Sequence, residues 1–95
     1  MRLEIITLNV PANGNTGPGT AQSVRDMRGK TLQFIGGVGS WDIEVSLDGT
    51  NFAPAIAGIE EAGVYLLEHA CTHLRINATT NTTAPTVRLG GYVGD

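Results

Sequence analysis

The sequence predicts an all-β protein, a small antiparallel β-sandwich or barrel of about seven short strands. The composition favours strands and turns, with 13 glycines and eleven threonines among 95 residues and a single lysine. Apolar and polar residues alternate with period two in several short segments, and turn signals recur every 8 to 12 residues. The length suits one domain. We therefore expect a single β-sandwich domain over residues 1–95, with a flexible loop at 11–21.

A first strand is predicted over residues 3–10 and a further one over residues 22–27. The segment between them, residues 11–20, has no hydrophobic side chain larger than alanine to anchor it. It is therefore expected to be mobile. Two interpretations stay open for it, a flexible connector and an arm that orders on a partner.

The clearest strand covers residues 41–47, where Trp41, Ile43, Val45 and Leu47 alternate with polar residues. The Asp-Gly dipeptide that follows is preferred in tight hairpin turns, because both central residues can take positive φ. Residues 41–57 are therefore predicted to form a β-hairpin. Pro54 has no N–H to donate, so the returning arm should be an edge strand or contain a bulge.

Other segments give weaker signals. Residues 31–35, a glycine-rich turn and the strand that begins at Trp41 predict a second hairpin. Residues 74–79 and 86–89 alternate as two more strands, joined by a turn at 80–85. Residues 59–71 fit either a short helix, by apolar spacing, or a strand. We favour a strand, since Gly63 lies in the middle and the flanking elements are β.

A dozen large apolar side chains are candidates for the core. They are Leu32, Phe34, Trp41, Ile43, Val45, Leu47, Val64, Leu66, Leu74, Ile76, Val87 and Leu89. Trp41 heads an apolar strand face and is predicted to be buried, with an exposed anchor as the alternative. At roughly 2 kcal/mol each, the burial of these side chains contributes little compared with the conformational entropy that a glycine-rich chain loses on folding. Self-association is therefore the expected supplement.

Charge and targeting signals exclude several classes of partner. Six basic and nine acidic side chains give a net charge of -3, so the broad cationic surface that binds phosphate backbones is absent and nucleic acid is not expected as a partner. The sequence contains no apolar run long enough to cross a bilayer, and no membrane partner is expected. Its first residues do not resemble a secretory signal, which predicts synthesis in a cytoplasm.

Catalysis and cofactor binding are not expected. His69, Cys71 and His73 have metal-ligand side chains, but same-face strand positions are about 6.6 Å apart, too far to converge on one zinc. No serine lies in a Gly-x-Ser-x-Gly turn. Cys71 lacks an orienting third group and is better interpreted as a small buried hydrophobe. The sequence thus predicts a protein that is not an enzyme and has no cofactor or metal.

Four charged side chains are candidates for contacts on polar strand faces. Arg75 and Arg88 project from two predicted strands, and Asp42 and Glu44 project from the strand that contains Trp41. They could pair within a sheet and fix its register, or they could contact another subunit or a partner. Both alternatives stay open.

Several segments together resemble a known class of protein. They are residues 16–21, 30–34, 39–52, 62–65 and 73–77, and they include a Ser-Leu-Asp-Gly-Thr-Asn hairpin and a Gly-Val-Tyr strand start. Over residues 16–92 the chain is similar to the small β-sandwich virion proteins of tailed bacteriophages, most closely to capsid decoration, or cement, proteins. Similar modules also occur in phage tail and fibre proteins.

The resemblance implies a structural role in the virion. A homo-oligomer, often a trimer, would bind the outer surface of the capsid and clamp neighbouring major capsid subunits against internal DNA pressure. The capsid contacts are then expected in the 11–21 loop and the N-terminal strand. The expected capsid or subunit contacts are Pro11, Asn13, Asn15, Thr16, Pro18, Thr20, Asp42, Glu44, Arg75 and Arg88. The alternative is a receptor-binding or carbohydrate-binding module of a tail or fibre, which requires an exposed Trp41 or Tyr92.

Overall fold

The computed structural model describes residues 1–94, which form nine β-strands. The strands are β1 (Arg2–Thr7), β2 (Gly17–Pro18), β3 (Gln22–Ser23), β4 (Arg28–Ile35), β5 (Val38–Ser46), β6 (Ala53–Ile59), β7 (Gly63–Leu67), β8 (His73–Thr83) and β9 (Thr86–Val93). Seven are full strands, and β2 and β3 are two-residue pairings. In the described part of the chain there is no helix long and apolar enough to span a membrane.

The strands form two antiparallel sheets, as expected for a small β-sandwich. Sheet A has the order β1-β9-β4-β7, and sheet B has the order β2-β8-β5-β6 with β3 also paired to β8. The chain crosses between the sheets repeatedly, since β4, β7 and β9 lie in sheet A and the strands between them lie in sheet B. Apolar side chains from both inner faces fill one core.

The core includes most of the predicted side chains. Trp41 is 2% exposed, which confirms its burial, and Val45 packs at the margin of the core. Leu47, Val64 and Leu66 were predicted to be buried but are 64% to 74% exposed. The pattern shows which residues share a strand face, but it does not show which face is inside. The core also contains apolar side chains that are missing from the candidate list, namely Leu8, Val24, Met27, Ile59, Leu67 and Ala78, and Cys71 is buried as predicted.

The predicted hairpin of residues 41–57 is present as β5 and β6. Its second strand lies at the edge of sheet B, and the pairing shifts register twice, so Pro54 stands in an edge strand with bulges as expected. The turn differs from the prediction. Only Gly49 has positive φ (79°) in it, and no described non-glycine residue has positive φ, so the connection is longer than a two-residue Asp-Gly turn.

The second predicted hairpin is wrong. β4 and β5 follow each other in sequence but lie in different sheets, so Gly36 and Gly37 carry the chain across the sandwich. Gly37 has φ 91°, and a Cβ there would lie 2.9 Å from the Cβ of Pro85 and 3.1 Å from the ring of Trp41. Glycine is therefore required by both conformation and space. The strands β8 and β9 are likewise split between the sheets.

The alternatives for residues 59–71 are decided in favour of a strand. β7 pairs with β4 over its whole length, and the ring of Tyr65 packs edge-on against Phe34 with centroids 5.5 Å apart. The predicted strand over 22–27 shrinks to the two-residue β3. Val24 and Met27 follow it as buried anchors of a turn, in which the Met27 N–H donates to the Val24 carbonyl oxygen.

Candidate functional site

An ion pair joins two strands on the outer face of sheet B. The Arg75 Nε donates to Glu44 Oε1 at 2.7 Å, from directly opposite positions of β8 and β5. The Arg75 guanidinium also lies over the Phe52 ring, 4.0 Å from its centroid, which adds a cation–π contact. Both charged side chains are largely buried. The predicted pairing of Arg75 with Glu44 inside one sheet is confirmed.

The other two charged candidates have different surroundings. Asp42 Oδ1 accepts a hydrogen bond from the Gly58 backbone N–H at 2.9 Å, so this carboxylate bridges β5 to β6. Arg88 lies on β9 in sheet A and is exposed. It cannot pair within one sheet with Asp42 or Glu44, which lie in sheet B, so the alternative of a pair inside one sheet is wrong for Arg88. The alternation pattern does not show that β5 and β9 lie in different sheets, because the crossovers between the sheets leave no local signal.

Asn81 anchors the segment that was predicted to be mobile. This side chain is 7% exposed, and its Nδ2 donates to the backbone carbonyls of Pro11, Ala12 and Asn15 at 2.9 to 3.0 Å. The Asn81 carbonyl oxygen accepts from the Gly14 N–H at 2.8 Å. Asn81 Oδ1 is buried without a hydrogen-bond partner. One amide therefore holds both ends of a tight loop.

The rest of the segment is attached by its backbone and by two further asparagines. Gly17 and Pro18 pair with β8, and the Gly19 N–H donates to the Ile76 carbonyl. Asn13 Oδ1 accepts from the Ala84 N–H at 2.7 Å. At the other end, Asn9 Oδ1 accepts from the Thr20 N–H at 3.0 Å. The prediction of a mobile loop assumed that nothing anchors this segment. In the structure, hydrogen bonds anchor it in place of apolar contacts.

The predicted contact residues of this segment form an exposed strip. Pro11 is half-buried, and the exposed members are Asn13, Asn15, Thr16, Pro18 and Thr20. We call residues 13–20 the polar strip. It runs along the edge of sheet B that is next to β8. A firmly held polar strip can bind a partner without the entropy cost of ordering a loop.

Asp48 organises the turn at the far end of sheet B. Its Oδ1 accepts from the Ser46 hydroxyl and from the Thr50 and Asn51 N–H groups, each at 2.8 Å, and its Oδ2 accepts from Asn51 Nδ2 at 2.7 Å. These bonds, led by the backbone N–H of Asn51, hold the pKa of the Asp48 carboxyl well below its ordinary value of 3.8. The arrangement fits an Asx-type turn, and its role is to shape the hairpin.

The histidine and cysteine cluster does not come together. His69 is exposed, Cys71 is buried, and His73 Nδ1 is 2.9 Å from the Thr72 hydroxyl. Burial raises the pKa of the Cys71 thiol, opposed by the charge of Lys30. Within residues 1–94, no three His, Cys, Asp or Glu side chains are placed to hold a metal ion.

The outer face of sheet A is apolar, which the sequence analysis did not foresee. The exposed side chains Leu3 and Ile5 on β1 and Val64 and Leu66 on β7 stand on this face, and Tyr92 on β9 is 47% exposed there. The strand pairings place Ile5, Gly90, Thr31 and Leu66 in one row across the sheet, and Thr7, Arg88, Gln33 and Val64 in the next. The exposed apolar side chains thus lie mainly on the two edge strands, and exposed apolar surface of this kind marks interaction sites.

This face has relief as well as polarity. The apolar side chains of β1 and β7 form two ridges. Between them the small residues Thr31 and Gly90 leave a short trough, which Arg88 and Gln33 bound on one side along the strands and Tyr92 bounds on the other. Arg88 stands at one end of the trough, and Arg28, whose Nη2 donates to the Gly94 carbonyl oxygen at 3.0 Å, stands at the other. Glu60 and Glu61 precede β7, and Glu68 follows it, all exposed. The β7 ridge is thus acidic at both ends, whereas the trough is basic at both ends.

Two open clefts lie at the end of the sandwich where β4 begins. The larger, about 790 Å³, is lined by Arg2, Glu4, Arg25 and Met27, among others. The second, about 660 Å³, shares Arg25 and Met27 with it and reaches Lys30 and Cys71. Their linings mix both charge signs with apolar carbons.

Asn81 and the apolar face were not predicted from the sequence, for different reasons. The bonds of Asn81 span 66 to 70 residues, and no local pattern indicates such a contact. The apolar face left a signal, since Leu66 and Leu67 are adjacent apolar residues on one strand. Adjacent residues of a regular strand point to opposite faces, so Leu66 and Leu67 cannot both point into the core.

Comparison with family models, curated proteins and solved structures gives no match for this chain.

Proposed function

We propose that the chain is a structural protein of a tailed-phage virion that binds the outer surface of the capsid as an oligomer. In this role it contacts neighbouring major capsid subunits and stabilises the head against internal DNA pressure. Its mechanism is binding without turnover. The proposal starts from the resemblance of residues 16–92 to capsid decoration proteins, and two surfaces of the structure support it.

The observation that carries the proposal is the polar strip at residues 13–20. Asn81 and β8 hold its backbone, while the side chains of Asn15, Thr16 and Pro18 stay exposed and make no hydrogen bond of their own within the described chain. They are therefore free to contact another surface. Many modest polar contacts, repeated over several copies, can give strong attachment through multivalency.

The alternative, a carbohydrate-binding module of a tail or fibre, has weaker support. It requires an exposed aromatic platform, and Trp41 is buried while Tyr92 is exposed. Tyr92 stands directly opposite Leu3 on β1 and near Arg28 on β4. An aromatic ring beside aliphatic side chains fits a protein contact better than a sugar subsite, which needs several polar groups around the stacked ring.

The test is co-sedimentation of the purified protein with empty, expanded phage capsids. The triple variant Asn15→Ala, Thr16→Ala, Pro18→Ala changes only exposed side chains and should weaken capsid binding at least tenfold. Thr50→Ala, an exposed threonine in the turn at the opposite end of sheet B, is the matched control and should bind as the wild type does. Equal capsid occupancy by the triple variant would refute the role of the polar strip. No saturable binding by the wild-type protein would refute the function.

A further inference from the structure

We infer that the outer face of sheet A is the contact surface for a second copy of the same chain. The β7 ridge of each copy lies in the trough of the other, about a two-fold axis that runs parallel to the strands. The inference concerns self-association and does not depend on capsid binding.

The apolar part of the argument is the shape of the face. Leu66 stands in the same row as Thr31 and Gly90, and it is 67% exposed. Gly90 has no side chain, and a Cβ there would meet only Leu3 Cδ1, at 3.9 Å. The trough therefore has room for one branched aliphatic side chain. An axis parallel to the strands brings Leu66 of a second copy to this row and Val64 to the row of Gln33 and Arg88, and the contact would bury Leu66.

Charge complementarity identifies the second copy as the occupant. The β7 ridge runs from Glu61 at one end to Glu68 at the other, and the trough runs from Arg88 to Arg28 in the same direction along the strands. A two-fold axis parallel to the strands keeps this direction. It therefore brings Glu61 of one copy towards Arg88 of the other, and Glu68 towards Arg28. Both pairs form twice, as an isologous interface requires.

The outer face of sheet B has no such self-complementarity. Its main charges, Glu44 and Arg75, already pair with each other inside the sheet. The carboxylate of Asp42 accepts from the Gly58 N–H. On the sheet A face, Arg88 has no ion-pair partner among residues 1–94, and Arg28 makes a single hydrogen bond to the Gly94 carbonyl oxygen. The resemblance implies three copies, whereas this geometry points to pairs.

The first test is the mass of the protein in solution. Analytical ultracentrifugation from about 1 μM to about 1 mM should show a monomer–dimer equilibrium. Leu66→Glu places a charge in the centre of the proposed contact and should shift the population to monomer, with a dissociation constant raised at least tenfold. Leu47→Glu is the matched control, because Leu47 is 74% exposed but lies beyond β5 in sheet B. It should associate as the wild type does.

A second variant distinguishes the loss of the dimer contact from a loss of folding. Gly90→Val fills the trough without backbone strain, since Gly90 does not have positive φ. Its far-ultraviolet spectrum and melting temperature should match or exceed those of the wild type, while the dimer is lost. A wild-type protein that stays monomeric, forms trimers, or remains dimeric with Leu66→Glu would overturn the inference. A monomer that binds capsids would do so as well. It would leave capsid binding standing but would refute the oligomeric part of the proposed function.

Charge reversal tests the direction of the axis. Arg88→Glu should weaken association at least threefold, and combining it with Glu61→Arg should restore association towards the wild-type value. Recovery in the double variant is the signature of a direct contact between copies. Failure to recover would refute the arrangement with the axis parallel to the strands.

Discussion

The two outer faces of the sandwich differ in what they expose, since polar groups on the sheet B side are bonded within the chain and apolar side chains are exposed on the sheet A side. On the sheet B side, Glu44 pairs with Arg75, Asp42 caps the Gly58 N–H, and Asn81 binds three backbone carbonyls. On the sheet A side, the edge strands β1 and β7 carry exposed aliphatic side chains, and the small residues Gly90 and Thr31 lie between them. One face satisfies its polar groups within the chain, and the other leaves apolar surface uncovered.

This contrast indicates a division of roles. Sheet B uses hydrogen bonds to hold the polar strip in place, so its surface is shaped before any partner arrives. Sheet A retains apolar surface whose burial would be favourable on association. The proposed functions follow the same division, with capsid contact assigned to the polar strip and self-association assigned to the sheet A face.

The largest expected effect separates two neighbouring leucines of β7. Leu67 is 2% exposed and Leu66 is 67% exposed. Leu67→Ala should lower the free energy of unfolding by about 3 kcal/mol, through lost burial and a cavity. Leu66→Ala should change it by less than about 0.5 kcal/mol at concentrations where the chain is monomeric. Urea unfolding measures both, and equal costs would show that the two sides of β7 are assigned wrongly.

The next effect concerns the anchor of the polar strip. Asn81→Ala removes a side-chain donor shared by three carbonyls and should destabilise the protein by about 2 kcal/mol. Amide hydrogen exchange should then speed up at Gly14, whose N–H donates to the Asn81 backbone. Thr82→Ala, on the exposed next residue, is the control. Unchanged exchange and stability in the Asn81 variant would show that the strip is held by other contacts.

A smaller effect distinguishes the two arginines that the sequence analysis treated alike. Arg75→Ala breaks a partly buried ion pair and a cation–π contact and should cost about 1 kcal/mol. Arg88→Ala should leave the stability of the monomer within about 0.5 kcal/mol of the wild type. Thermal melts in dilute solution compare them. An Arg75 variant with the melting temperature of the wild type would remove the ion pair from the account of stability.

The smallest effect is a dependence on pH in the turn of sheet B. The folded-state pKa of Asp48 lies below its ordinary value of 3.8. The Asp48 carboxylate therefore contributes to the stability of the fold above about pH 4, and this contribution is lost as the pH falls further. Asp48→Asn should therefore lose less stability than the wild type between about pH 4 and pH 2. Glu60→Gln serves as the control for removing one negative charge. Parallel pH curves for Asp48→Asn and the wild type would contradict the prediction.

Local pattern predicted the all-β class and most strands, but it could not predict which strands pair. The hairpin of β5 and β6 was found because its two arms and its turn are contiguous in sequence. The β4–β5 hairpin failed because Gly36 and Gly37 fit a turn within one sheet and a crossover equally well. The distinction depends on where β9 and β7 dock against β4, which is set by contacts distant in sequence.

The candidate sites were predictable to a similar extent. Arg75 and Glu44 could be found because they occupy polar positions of strands that do pair. The attachment of the polar strip to Asn81 could not be foreseen, since this anchor lies some 66 to 70 residues away in sequence. Alternation grouped the exposed Val64 and Leu66 on one face, and the assumption that apolar side chains lie inside assigned that face to the core.

The pairing of β1 with β9 has a consequence for how the chain folds during synthesis. Among the strands described in residues 1–94, only β5 and β6 are neighbours in both sequence and sheet. β1 pairs with β9, and β4 pairs with both β7 and β9. Proteins dominated by such distant pairings fold slowly. The first strand made must therefore wait for the last one, and a ribosome-bound chain that stops before Thr86 should lack a complete sheet A.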